Sequence, residues 1–309
     1  MLVLLNPAAG GGRAAARWDR ATHALATRLG SFTLQHLAHA DSMSAIVAAA
    51  VRDGERQFVA AGGDGTVHLL INALLDTAAP DTLHRVTLGA VGLGSSNDFH
   101  KPSHNGTGAA LPGRLDFDRA VAHDVGVLLY MDSHGVVRRR WWINNASIGV
   151  TAEGNERFNA PDAALRWLKR VSPRMAILYA AVRALLQHRP RPVTLRIDAL
   201  PPLTIRVSNL GVLKNPNVAG SLRYDSPHEP AGGALHVHLL EAQRLPGLLR
   251  AFLGLARGRF TGRRGTRSWR ATRLALEGDT EFSIEVDGEI VTARRAWFSI
   301  RPACLRICA

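Results

Sequence analysis

The chain has 309 residues, 46% hydrophobic and 20% charged, which suits a folded globular protein and excludes a disordered one. Its 38 basic and 25 acidic residues leave a net charge of +13, so an anionic partner is expected: nucleic acid, a membrane face or nucleotide phosphates. Cys304 and Cys308 lack the companion ligands of a zinc site and read as reduced, structural thiols.

The N-terminus runs straight into strand-like Leu2-Val3-Leu4-Leu5 without a signal-peptide pattern. The pattern then predicts a helix over Arg13–Leu29, a strand over Phe32–Leu37 and a helix over Ser42–Val51. A Phe58–Ala61 strand, a Thr66–Leu75 helix and a Val86–Val91 strand follow. Strand–helix–strand alternation predicts a parallel sheet with right-handed crossovers. A Pro-, Gly- and His-rich loop runs from Lys101 to Arg114. Beyond it, strand-like runs dominate: Asp124–Met131, Val136–Ala146, Val193–Ile197, Leu203–Leu210, Leu235–Leu240, Ser268–Leu276, Phe282–Val286 and Ala296–Arg301. One helical region, Asp162 to His188, interrupts them, bounded by Pro161 and Pro190 and broken near Pro173. Its longest apolar stretch, Met175 to Leu186, is too short to span a bilayer.

Three polar, glycine-rich segments leave the predicted parallel strands: Asn6 to Gly12, Gly62 to Thr66, and Gly92 to Asp98. Ligands on such sheets bind beyond the carboxyl ends of the strands. Gly62-Gly63-Asp64-Gly65-Thr66 lies between a strand and a helix start, where backbone amides and missing side chains suit a phosphate. Asp64 puts a negative charge where a polyphosphate would lie, which calls for a cation or a proton acceptor there. Asp287-Gly288-Glu289, between two strand-like runs, reads locally as a hairpin turn. With three upstream phosphate loops it reads instead as a source of the base that an acceptor hydroxyl needs.

These segments resemble the diacylglycerol kinase catalytic-domain family, which includes bacterial soluble lipid kinases and the sphingosine and ceramide kinases. Asn6-Pro7 with its glycines is similar to the family's first nucleotide loop, Gly62–Thr66 to its second, and Gly94-Ser95-Ser96-Asn97-Asp98-Phe99 to its third. Asn144 to Gly149 is similar to a further family strand, and Asp287-Gly288-Glu289 matches its Asp-Gly-Glu motif. The resemblance implies an N-terminal three-layer α/β nucleotide domain with a parallel sheet (1–121) and a C-terminal β-sandwich-like domain (122–292). A tail (293–309) would return to the first domain. It implies ATP and Mg²⁺ as cofactors. Asn6, Pro7, Gly10, Gly11, Gly62, Gly63, Asp64, Gly65, Thr66, Asn72, Gly94, Ser95 and Asn97 would bind the nucleotide. Glu289 would be the base, with Asp287, Asp64, Asp98 and Asp124 as the other catalytic carboxylates.

The chain also departs from the family. Leu69 stands where a glutamate is usual, and no threonine follows the second strand near Leu37 or Ala38. The family's metal loop reads Asp-Gly-x-Leu, whereas this chain has Gly232-Gly233-Ala234-Leu235, with Glu229 the nearest substitute. No protein-held metal is expected, and the histidines show no ligand spacing; His23, His36 and His39 read as solvated.

The expected activity is phosphoryl transfer to a membrane lipid hydroxyl, diacylglycerol first. Sphingoid-base or phosphatidylglycerol-like acceptors, NAD kinase activity and an inactive homologue are the rival readings. From Arg244 to Arg273 there are nine arginines and no acidic residue. Beside the apolar stripe of Leu245, Leu248, Leu249, Phe252, Leu253 and Leu255, they read either as the solvated edge of a core helix or as a face for anionic membrane. A cytoplasmic protein on the inner membrane face is the expectation. Nucleic acid is not, because no reading motif is present; a homodimer is an open possibility.

Overall fold

A computed structural model describes residues 1–39, 42–101, 111–160 and 162–309. Most of the loop expected between Lys101 and Arg114 lies outside the described residues, as does Pro161.

Strands β1 (Leu2–Leu5), β2 (Thr33–His36), β3 (Gln57–Gly62) and β4 (Thr87–Gly92) form a parallel sheet in the order β2-β1-β3-β4. Side chains alternate across a strand, so both faces of a covered sheet need apolar residues. Val3 and Leu5 meet Trp18, Leu25 and Leu29 of α1 (Ala14–Leu29) on one face. Leu2, Leu4 and Phe58 meet α2 (Ser42–Arg52) and α3 (Asp64–Thr77) on the other. The result is the three-layer α/β domain.

Besides three two-residue strands (Gly113–Arg114, which pairs with β4, Asn217–Val218 and Leu222–Arg223), the further strands are β5 (Val121–Met131), β6 (Val137–Trp142), β7 (Asn145–Gly149), β8 (Arg191–Ile197), β9 (Leu203–Leu213), β10 (Leu235–Glu241), β11 (Thr266–Ala271), β12 (Arg273–Val286) and β13 (Glu289–Ile307). They pair antiparallel and curl around one apolar core, into which Leu128, Trp142, Ile148, Leu195, Leu210, Val237 and Phe298 point. This is the β-sandwich-like second domain. Helices α4 (Val150–Asn159), α5 (Ala163–Val171) and α6 (Pro173–Gln187) follow β7, and α7 (Leu245–Ala256) follows β10. β13 crosses between the domains: Arg306 and Ile307 pair in parallel with Thr87 and Leu88, and Cys308 N donates to Leu88 O at 2.9 Å. The boundary expected at 292 and 293 falls inside this one strand.

Several elements differ from expectation. The run Val136–Ala146 is two strands, broken at Ile143 and Asn144, whose amides both donate to the Asp287 carboxylate. Ser268–Leu276 is also split at Thr272, whose amide donates to the Asp198 carboxylate, as does that of Arg273 at the start of β12. Phe282–Val286 and Ala296–Arg301 are parts of the longer β12 and β13. The helical region, by contrast, divides at Ser172, in line with the break expected near Pro173, and the Ser172 hydroxyl caps α6. Helix α4 is not expected at all: it is polar and carries Gly154, a weak helix former.

Candidate functional site

Strands β1, β3 and β4 end side by side, so the loops 6–12, 62–66 and 92–98 leave one edge of the sheet. They are laced together. Asn6 Nδ2 donates to Thr66 Oγ1 at 3.1 Å, Leu93 N donates to Gly62 O at 2.7 Å, and Arg17 Nη1 donates to Leu93 O at 2.9 Å. Such contact requires glycine. A Cβ on Gly10 would stand 2.5 Å from Leu93 O, and one on Gly94 would stand 2.6 Å from Gly63 Cα. Beyond that contact Gly11 and Gly12 border open space. No side chain caps α3, and with Thr66 N bonded to Gly63 O at 2.9 Å the amides of Asp64 and Gly65 and the positive end of the helix dipole are what it offers to an anion. The cradle fits a polyphosphate.

The carboxylates divide by their partners. Asp64 does not project alone into the cradle: its Oδ1 accepts from Phe99 N at 2.9 Å and its Oδ2 from Asp98 N at 3.1 Å, which fastens the third loop to α3. Burial, with the Asp98 and Asp287 charges adding, lifts the Asp64 pKa to about 6 against those amides. Asp98 accepts from Lys101 Nζ at 2.8 Å and from Gly220 N at 3.0 Å. Asp287, held at φ 48, accepts from the amides of Ile143 (2.9 Å), Asn144 (2.9 Å) and Asn145 (3.1 Å), and its Oδ2 lies 3.3 Å from His68 Nδ1. Glu285 accepts from Ser147 Oγ at 2.7 Å and from Gly288 N at 2.6 Å, and burial, reinforced by Asp287 and Asp98, pushes its pKa up to about 7. Glu289 alone is exposed. Its Oε1 lies 4.0 Å from where a Cβ on Gly65 would sit, at the start of α3, and among the described residues no donor is bonded to it.

Asp124 belongs to a different cluster. Its Oδ2 accepts from Lys214 Nζ at 2.9 Å and Gly233 N at 2.8 Å, and its Oδ1 from Ala303 N at 2.9 Å. Lys214 Nζ also donates to Glu229 O at 3.0 Å and Ala234 O at 3.2 Å. An ammonium thus fills the oxygen cage formed by the segment that the resemblance makes a metal loop. With Gly232 in place of a carboxylate and Lys214 among the oxygens, these residues do not fit a structural divalent ion. Among the described residues no group of three or more His, Cys, Asp or Glu side chains could hold a metal.

The three glycine loops, Asp64, Asp98, Asp287 and Glu289 come together; Asn72 and Asp124 do not. Asn72 lies about two turns along α3. It exchanges two hydrogen bonds with the backbone of Trp141, at 3.0 and 2.9 Å, joining α3 to β6. The side chains of Asn6, Thr66 and Asn97 are likewise spent within or between the loops. Sequence reasoning missed Glu285, Lys101, Arg17, His68, Asn215 and Lys214. Glu285 had a signal, since residues two apart on a strand share a face with Asp287. Arg17 had one too: a cation in the first turn of a helix opposes the dipole unless something anionic lies near. Asn215, which donates to Asp98 O at 2.7 Å and Lys101 O at 3.1 Å, comes from a distant strand end and had none.

Two family models match the chain in tandem: the diacylglycerol kinase catalytic domain over residues 1–115, and the YegS C-terminal NAD kinase beta sandwich-like domain over residues 144–309. A curated Cronobacter sakazakii protein, described as a probable lipid kinase YegS-like, is 32% identical over 138 residues. That stretch is 43% of this chain and 43% of the relative, so less than half of the relative's length is matched. A crystal structure of a diacylglycerol kinase from Bacillus anthracis str. Sterne superposes with a TM-score of 0.67 at 15% identity, covering 99% of this chain and 95% of that one. A further chain from the same bacterium gives 0.72 at 16%, covering 99% and 96%. At such identities the likeness concerns the fold.

Proposed function

Because the chain belongs to the family that joins a diacylglycerol kinase catalytic domain to a YegS-type C-terminal domain, we propose that it is an ATP-dependent lipid kinase acting on a membrane lipid hydroxyl, diacylglycerol first. One observation carries the reading: the uncommitted carboxylate of Glu289 stands over the first turn of α3, where the three glycine loops meet.

In this mechanism the glycine loops and the amides of α3 hold the triphosphate, and Arg17 and Lys101 add positive charge at its edge. A Mg²⁺ ion, carried on the phosphates, neutralises charge when bound. Glu289 takes the proton of the acceptor hydroxyl as its oxygen bonds to the γ-phosphorus and the bond to the leaving ADP breaks. Asp287 and Asp64 act as fasteners. Asp287 sets the hairpin that presents Glu289, and Asp64 sets the third loop.

Labelled ATP and a total lipid extract test the assignment. A labelled phospholipid is expected, and Glu289→Gln should lower the rate by about 10²-fold or more with an unchanged circular dichroism spectrum. Full activity in that variant overturns the base. Labelling of NAD in place of lipid would favour the activity named in the C-terminal family description.

A further inference from the structure

Helix α6 is built inside out. Its buried positions are Ala176, Ala180 and Ala184, small residues that let it close on α4, where a Cβ on Gly154 would lie 3.8 Å from Ala184 Cβ. Apart from Leu185, which packs on the α7 core, its large aliphatic residues point to solvent instead: Met175 (52% exposed), Leu178 (54%), Val182 (43%) and Leu186 (65%) repeat along one face. A water-facing helix normally buries its large side chains, so this stripe requires an occupant. The patch continues onto both neighbours. Trp167 (63%) and Val171 (65%) of α5 are exposed one turn apart, as are Leu249 and Leu253 of α7, which packs against α6.

The charge around the patch selects that occupant. Along and beyond α7, Arg244, Arg250, Arg257, Arg259, Arg263 and Arg264 are exposed, and among the described residues none forms an ion pair with a carboxylate. A second copy of the chain would have to bring this surface against itself, since a two-fold contact is self-complementary, and so would oppose arginine to arginine. An anionic bilayer instead offers apolar depth to the stripe, an interface for Trp167 and negative headgroups for the arginines. We propose that the α5–α6–α7 face lies on an anionic membrane, with the apolar stripe inserted and the α7 arginines among the headgroups.

This surface is linked to the candidate base through one helix. Asn155 of α4 donates from Nδ2 to Gly288 O at 2.8 Å, so the helix under α6 is pinned to the Asp287–Glu289 hairpin. The docking face therefore includes α5 and α6 and is not the Arg244–Arg273 segment alone. The proposal rests on a lipid acceptor only for its purpose, and its test is independent of turnover.

Sedimentation with vesicles of phosphatidylcholine, with and without phosphatidylglycerol, measures it without ATP. Wild-type protein should pellet with the anionic vesicles and release at high salt. Leu178→Glu with Leu186→Glu should weaken binding about tenfold or more. Arg257→Glu with Arg259→Glu should remove the dependence on anionic lipid. These side chains are exposed, so folding should be unchanged by circular dichroism. Equal pelleting of wild type and both variants overturns the proposal. So does a wild-type dimer in analytical ultracentrifugation that the leucine variant makes monomeric without changing vesicle binding. ATP turnover on detergent-dispersed lipid is read separately: its absence in wild type would defeat the kinase reading and leave the docking result standing.

Discussion

Lys214 and Asp124 illustrate how a buried charge is settled in this protein. Both side chains are nearly inaccessible, and the ammonium is surrounded by one carboxylate and two carbonyl oxygens. Removing one partner of such a pair leaves an uncompensated charge and typically costs about 3–5 kcal/mol. Lys214→Met should therefore lower the unfolding free energy, read by denaturant titration, by that amount. The wild-type unfolding temperature should be the same with Mg²⁺ or a chelator; a clear drop under chelation would mean that a metal, not Lys214, holds the cage. The departure at Gly232 was legible in the sequence, and its compensation was not. Lys214 is a lone cation at the end of β9, and nothing local marks it as facing Asp124, ninety residues away. By contrast, Glu289 and Asp287 were both visible as a motif. Their opposite uses, one free and one bound by three amides, depend on β6 and β7 arriving beside the hairpin.

At the level of elements, glycine contact between loops is the feature most open to test. Gly63 and Gly94 approach so closely that a methyl group on Gly94 would overlap the Gly63 backbone at 2.6 Å. Gly94→Ala should part the second and third loops and weaken ATP binding, read by calorimetry, while the second domain keeps its strands. An unchanged ATP affinity would separate this contact from the nucleotide site. The parallel strands and their loops were readable because each is a continuous apolar run closed by glycine, a pattern determined within the segment. Strand breaks at Ile143 and Thr272 were not, because the carboxylates that accept their amides lie far away in sequence at Asp287 and Asp198. Helix α4 escaped for a related reason: its own residues favour it little, and its packing on α6 sustains it.

For the whole molecule, the balance of buried titratable groups determines its response to acid. Burial, reinforced by the Arg114 charge at His100, His123 and His228, lowers the pKa of His100 and His123 to about 3 and of His228 and His238 to about 4, and burial shifts His236 in the same direction. These rings are neutral in the fold and charged in the unfolded chain below its ordinary value of about 6.5, so stability falls as pH drops from there toward 4. Asp64 and Glu285 work the other way. Their folded pKa values are raised to about 6 and about 7, so their contribution is present at low pH and lost as pH rises through those values. Five histidines outnumber two carboxylates, and the unfolding temperature should fall steadily between pH 6.5 and 4.5. Glu285→Gln should steepen the fall; a flat profile would show that the histidines are not buried neutral. None of this was legible from thirteen histidines without ligand spacing.

β13 has a consequence for how the protein is made. It begins at the residue proposed to take the proton and ends by pairing with β4 of the first domain. During synthesis the first ninety residues emerge early and Gly113 and Arg114 soon cover Ala90 and Val91, yet the Thr87–Leu88 half of that side of β4 has to wait for Arg306 and Ile307. Contacts this distant in sequence form slowly, and an unpaired strand edge is a template for association between chains. The nascent N-terminal domain is thus exposed for nearly the whole time the ribosome takes to finish the second. A polypeptide interrupted before residue 306 would leave the Thr87–Leu88 half of that edge open, ready to pair with another chain.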